Sequence, residues 1–200
     1  MAGRGAALAA DLSVGRTTGS AMIDAGYFSK AVEPTPPGLD LPGVREICSV
    51  SRCFSEAPEG WLERWAHNSY GWFNSIKDAW EAVPEGRRGA FRLFAYRIAA
   101  LRFRGGVAER TTVPQDVHPD PIPPSFVSLG YDAVSKFMDS VIEFECSPLS
   151  CNAMAPEFAV NEFCLLATEE AAMAAAKRFS VEQPEPGDYY VVEVLQPSRG

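Results

Sequence analysis

Histidine is almost missing from this 200-residue chain: His67 and His118 are the whole supply. That scarcity narrows both neutral-pH general-base chemistry and imidazole metal ligation. No apolar stretch approaches the ~20 residues that a membrane-spanning helix needs. Phosphate cradles are lacking too, since Gly86-Arg87-Arg88-Gly89 and Gly105-Gly106 match neither the P-loop nor the dinucleotide fingerprint. The chain holds no Gly-x-Ser-x-Gly, His-Glu-x-x-His or Cys-x-x-Cys segment. The block Ala6-Ala7-Leu8-Ala9-Ala10 is too short for the apolar core of a secretory signal. A reducing setting is therefore expected, and with it free thiols rather than disulfides.

What is present is core material. Twelve Phe, six Tyr and four Trp accompany an apolar fraction of 46%, and each buried aromatic removes roughly 150–250 Å² from water. The formal charge of −8 is unevenly placed. Acids and bases balance up to Ser125, and the whole acidic excess follows from Phe126 onward. An arginine run occupies the middle: Arg87, Arg88, Arg92, Arg97, Arg102, Arg104 and Arg110. Two readings of that run stand: pairing with the acidic half, or gripping an anion. The acidic balance disfavours nucleic-acid backbones.

Organisation follows from composition. Residues 1–26, rich in Ala, Gly, Ser and Thr, read as a disordered leader. A Pro-rich segment at 113–125 reads as a linker between a first half, 27–112, and a second, acidic half, 126–200. The halves share a plan. Asn68 leads Ser69-Tyr70-Gly71-Trp72-Phe73 and Asn161 leads Glu162-Phe163-Cys164-Leu165-Leu166, both expected as short strands. Ser75 and Thr168 then stand where a helix N-cap belongs, with acidic residues in the following turn. Each helix stops at a Pro/Gly break before a strong strand, Phe91–Ile98 and Tyr189–Leu195. For the openings of the halves, Val44–Ser51 is an expected strand, and Ile47–Arg52 is laid on Tyr131–Lys136. A rival alignment sets Cys48–Cys53 on Cys146–Cys151, and Pro148 argues against it as a strand match. The expected fold is α+β: two pseudo-repeated β-loop-β-α-β halves forming one mixed or antiparallel sheet with helices packed on it.

Five cysteines carry the most pointed chemistry. Cys48 and Cys53 are spaced Cys-x4-Cys, as are Cys146 and Cys151, with Cys164 apart. Four thiolates can close a tetrahedral zinc shell, which makes Cys48, Cys53, Cys146 and Cys151 a conceivable metal set, although x4 is the loose end of knuckle spacing. Buried free cysteines acting as small apolar residues give the same pattern, and no cofactor is required by the sequence. A cysteine nucleophile would be Cys146 or Cys151, with His67 as base and Asn68 orienting it. Glu143 and Glu145 share one face of an extended segment and could serve acid–base work, as could a merely solvated face. Trp61 and Trp65 share a helical face, either as core or as an exposed partner-binding anchor.

The segments Leu129-Gly130-Tyr131-Asp132-Ala133-Val134-Ser135 and Glu145-Cys146-Ser147-Pro148-Leu149-Ser150-Cys151-Asn152, with Pro58-Glu59-Gly60-Trp61 and His67-Asn68, resemble a family of uncharacterised bacterial proteins. The likeness spans about Tyr27 to Leu195 and implies a bacterial, cytoplasmic setting, with no mechanism attached. The expectation is a non-catalytic binding or accessory protein, immunity-like or regulatory, presenting an acidic face with Glu143 and Glu145 to another protein. The alternative is a cysteine-dependent enzyme or zinc protein with its site in the 143–152 loop, using Cys146, Cys151, Glu145 and His67.

Overall fold

A computed structural model describes residues 21–32, 41–51, 53–64, 66–136 and 146–198. Trp65, Glu143 and Glu145, and most of the expected leader, lie outside the described residues. The chain is α+β, with an antiparallel curled sheet and a few helices. Strand β1 spans Met22–Val32, β2 Ser55–Glu56, β3 Arg92–Arg104, β4 Val107–Arg110, β5 Phe126–Lys136 and β6 Asp188–Pro197. Helix α1 spans Ile76–Glu81, α2 Pro148–Cys151 and α3 Glu169–Glu182. The sheet order is β2-β1-β3-β6-β5, with β4 folded back on β3. None of the helices among the described residues is long and apolar enough to cross a membrane.

The strong expected strands are the two central ones, β3 and β6, paired antiparallel with Ile98 opposite Val192. Their aromatic and β-branched side chains suit burial on both faces of a pleat. The N-caps also stand where expected: the Ser75 hydroxyl accepts from the Asp78 N–H at 3.0 Å, and Thr168 accepts from the Ala171 N–H at 3.2 Å. Gln183 closes α3 in the left-handed region at φ 51°, a common helix ending.

Four expectations need correction. Val44–Ser51 is not a strand. Its backbone donors turn to a loop instead, Arg45 N–H to the Glu162 carbonyl at 2.9 Å and Cys48 N–H to the Phe163 carbonyl at 3.0 Å. The opening strand of the first half is β1, which begins at Met22 within the stretch read as leader. The alignment of Ile47–Arg52 on Tyr131–Lys136 fails for the same reason, because the latter lies in β5 while residues 47–51 of the former are irregular. Asn68–Phe73 and Asn161–Leu166 are tight loops rather than strands, because each asparagine side chain captures backbone donors that a strand would present to its neighbour.

Those two loops make matching bonds. Asn68 Oδ1 accepts from the N–H groups of Tyr70 and Trp72, and Asn161 Oδ1 from those of Phe163 and Leu165. Asn68 Nδ2 donates to the Ala25 carbonyl, and Asn161 Nδ2 to the Leu129 carbonyl. Phe73 exchanges both backbone bonds with Tyr27, as Leu166 does with Tyr131, all at 2.8 Å. Beside each exchange the strand carries a glycine at positive φ and a register shift: Gly26 at 146° and Gly130 at 136°. A Cβ at Gly130 would stand 2.7 Å from the Leu166 carbonyl oxygen, so only glycine lets the loop approach this closely.

The Pro-rich segment is docked rather than loose. The Asn74 amide donates to the Asp116 carbonyl at 2.9 Å, the Tyr27 hydroxyl to the Asp120 carbonyl at 3.0 Å, and Val117 and Ile122 pack on the core. One apolar cluster gathers Tyr27, Phe28, Trp61, Trp72, Phe94 and Tyr96. A second gathers Phe103, Leu149, Leu166, Phe179, Tyr189 and Val191 beneath α3. Arg87, Arg92, Arg97, Arg102 and Arg104 of the arginine run pair internally. Arg97 meets Asp24 at 2.8 Å and Glu193 at 3.3 Å, one on each neighbouring strand, while Arg102 and Arg104 converge on the buried Asp188.

Candidate metal centre

The cysteine-bearing segments Cys48–Cys53 and Cys146–Cys151 both begin Cys-Ser and end in Cys. Neither is part of a strand, and each is held to the sheet by one side chain of β5. Asp132 is wholly buried. Its Oδ2 accepts from the Ser49 hydroxyl at 2.7 Å and the Val50 N–H at 2.8 Å, and its Oδ1 accepts from the Ser147 hydroxyl at 2.6 Å. One carboxylate thus grips the equivalent serine of each segment, one oxygen apiece. The cysteine-based alignment of the two segments describes their structural role better than the strand-based one.

Lys30, also buried, donates from Nζ to the Ser49 carbonyl and places its charge beside the Phe94 ring at 5.0 Å. Burial holds the Asp132 carboxyl above its ordinary value, against the opposing pull of the Ser147 and Ser49 hydroxyls, the Val50 N–H and the Lys30 charge. Desolvation wins because no water reaches the group to solvate its ionised form.

From these anchors the chain turns the thiols toward one another. Ser51 N–H donates to the Ser49 hydroxyl, and Cys53 N–H to the Ser51 hydroxyl at 3.3 Å, which curls the first segment so that Cys53 faces out. In the second segment the Cys146 carbonyl accepts from the Ser135 N–H at 2.9 Å. Pro148 starts the short α2, and the Cys151 N–H returns to the Ser147 carbonyl at 2.8 Å. The result is a cluster in which the sulfurs of Cys53, Cys146 and Cys151 all lie within 4.8 Å of one another. Cys53 Sγ is 3.5 Å from Cys146 Sγ, and Cys151 Sγ is 3.5 Å from the Ser51 hydroxyl and 3.8 Å from that of Ser150.

Zinc–sulfur bonds of about 2.3 Å in a tetrahedron set the sulfurs about 3.8 Å apart. The cluster already has that spacing within the range of side-chain rotation. Burial first, then contact with Cys53, pushes the Cys146 thiol up to about 12, and contact with Cys53 followed by burial pushes Cys151 up as well. Neither Cys146 nor Cys151 is therefore set as the first attacking nucleophile, which needs a stabilised thiolate. A bound cation reverses the balance, because its charge stabilises the same three thiolates that otherwise repel one another.

The remaining candidates fall elsewhere. Cys48 is buried in the first apolar cluster, its thiol pushed up to about 11 by desolvation, and Cys164 is buried in the second. His67 sits beside the Trp61 ring at 5.8 Å, with Nε2 3.1 Å from the Leu62 carbonyl and Nδ1 3.3 Å from the Asn68 carbonyl. Trp61 is itself buried edge-on against Phe28, where it builds core rather than a surface anchor. Asp132 escaped the sequence reading. Its one available signal was an acidic residue between apolar neighbours in a strand, with one Cys-Ser segment far ahead of it and one shortly after it along the chain.

No family model matches this sequence, and no curated protein or solved structure is significantly similar to it.

Proposed function

We propose that this chain is a thiolate metal-binding protein that holds one zinc ion through Cys53, Cys146 and Cys151. The observation that carries the reading is the convergence of three sulfurs from two segments, more than 90 residues apart, on one point, with both segments fixed by the same buried carboxylate. Thiolates select soft cations, and a reducing bacterial cytoplasm would keep these cysteines available. Cys53 is exposed, so the fourth position faces solvent, open to water or to a ligand atom from a partner. Three protein ligands and an open place is the arrangement of exchangeable or reactive zinc rather than of a closed structural knuckle.

An acidic-face binder has less support. Asp188, Glu193, Glu157, Glu182 and Glu162 of the second half are all engaged by arginines of the same molecule. A protein partner, on this reading, meets the metal's open position. The matching asparagine loops, glycine bulges and capped helices support descent of the two halves from one duplicated unit, with β3 and β6 joining the copies. Helices α1 and α3 differ in length, 6 residues against 14, so the copies have diverged there.

Elemental analysis of protein purified without chelators tests the metal. One zinc per chain is expected in the wild type and in Cys48→Ser and Cys164→Ser, with loss in Cys53→Ser, Cys146→Ser and Cys151→Ser. Metal-free wild-type protein that also takes up no added zinc or cadmium would sink the assignment.

A further inference from the structure

We propose that the thiol cluster is also a redox-modification site, in which a peroxide closes a disulfide between Cys53 and Cys146; the loss of metal that would accompany it rests on the zinc reading above, whereas the disulfide itself rests only on the geometry of the sulfurs.

The three thiols differ in ways that assign them roles. Cys53 is exposed, while Cys146 and Cys151 are only partly accessible, so a small oxidant meets Cys53 first. Cys53 also sits in a turn, its N–H donating to the Ser51 hydroxyl at 3.3 Å. Cys146 is fixed where its carbonyl accepts from the Ser135 N–H and hydroxyl. Its sulfur is already 3.5 Å from that of Cys53, and a bond of about 2.05 Å needs an approach of roughly 1.5 Å. Cys151 is anchored on α2, with its sulfur against the hydroxyls of Ser51 and Ser150. Exposure therefore makes Cys53 the thiol oxidised first, and the short sulfur–sulfur distance makes Cys146 the one that resolves it.

The chemistry balances with one peroxide. The Cys53 sulfur attacks one oxygen, the O–O bond breaks, and the departing hydroxide takes up a proton, leaving a sulfenic acid. The Cys146 thiol then attacks the Cys53 sulfur, the S–O bond breaks, and the departing hydroxide takes the Cys146 proton and leaves as water. Two thiols and one hydrogen peroxide become one disulfide and two waters, with two electrons passing from sulfur to oxygen. Only Cys151 of the three ligands remains, and one thiolate does not hold zinc.

The test uses the full chain, reduced, in a chelator-treated and a zinc-loaded form, with stoichiometric hydrogen peroxide. Readouts are non-reducing peptide mass spectrometry and zinc release to a chromogenic chelator. A Cys53–Cys146 linkage reversed by dithiothreitol is expected in the chelator-treated protein, retained in Cys151→Ser, Cys48→Ser and Cys164→Ser and lost in Cys53→Ser. The zinc-loaded form should release one zinc per disulfide. Predominant linkage through Cys151, or oxidation of Cys53 that stops at sulfinic acid, overturns the proposal. Zinc that stays bound through peroxide treatment overturns it as well. A linkage that forms in a protein binding no zinc upholds the redox site and removes the metal reading.

Discussion

Replacing Asp132 with alanine probes the device that assembles the thiol cluster. The change removes the acceptor of three buried donors, the hydroxyls of Ser49 and Ser147 and the Val50 N–H. It also leaves the buried Lys30 charge without the carboxylate that faces it. Each orphaned donor costs about 1–3 kcal/mol. The hydroxyls can rotate toward other acceptors, and the relief of an expensively desolvated carboxyl offsets part of the loss. A net destabilisation of about 3–5 kcal/mol is the figure for breaking such a buried charged network. At about 2–4 °C per kcal/mol for a chain of this size, the Tm falls by roughly 6–20 °C. Asp132→Asn keeps the volume and one carbonyl oxygen, so it should fall between wild type and alanine. Thermal unfolding by circular dichroism, run in chelator so that metal does not contribute, ranks the three proteins. Zinc affinity, titrated separately at a temperature where all are folded, should drop at least about tenfold in Asp132→Ala, as supporting residues around metal sites typically do. Asp132→Ala within about 1 kcal/mol of wild type, or a destabilised variant with unaltered zinc affinity, would refute the claim that this carboxylate holds the cluster together.

The same residue sets a pH dependence. Burial raises its folded pKa above the ordinary 3.8, so between that value and the folded one the native state binds more protons than the unfolded state. Stability from this group therefore falls as pH rises through that window and recovers on acidification. Urea unfolding of wild type against Asp132→Asn, in chelator at several acidic pH values, should show the wild type gaining relative to the variant as pH falls; the opposite trend would contradict the burial argument. Gly130→Ala should cost about 2–4 kcal/mol, because the backbone at φ 136° is strained for alanine and the new Cβ meets Leu166 O at 2.7 Å and Leu165 Cβ at 2.9 Å. Gly43→Ala, at φ 82° but with open space around it, should cost about 1 kcal/mol; equal losses in the two variants would show that the close approach of the loop does not matter.

Local signals carried the helix caps and the central strands. Ser75 and Thr168 stand one residue ahead of their helices, and a cap is decided by side-chain chemistry within one turn of chain. The aromatic and β-branched runs of β3 and β6 demanded burial wherever they fell. Val44–Ser51 has the alternation of a strand and yet is none, because its donors find the 162–163 loop carbonyls, over 110 residues away in sequence. β1 lay partly in the small-residue stretch, ending at Gly26, that read as leader. Gly26 lets Trp72 and Phe73 close over the strand, with a Cβ there only 2.8 Å from Trp72 Cβ.

The sequence by itself determined an α+β chain with two capped helices, two buried strands and arginines suited to internal acids, because propensity, capping and charge act over short range. It also contained the two Cys-Ser segments, but spacing alone gave four thiols equal standing. Tertiary structure separated them. Asp132, on a strand between the two segments, draws Ser49 and Ser147 to its two oxygens, so Cys53, Cys146 and Cys151 meet while Cys48 turns into the core. That choice depends on contacts across 83 and 15 residues of chain, and no local pattern encodes the direction in which a loop must face once both ends are tied.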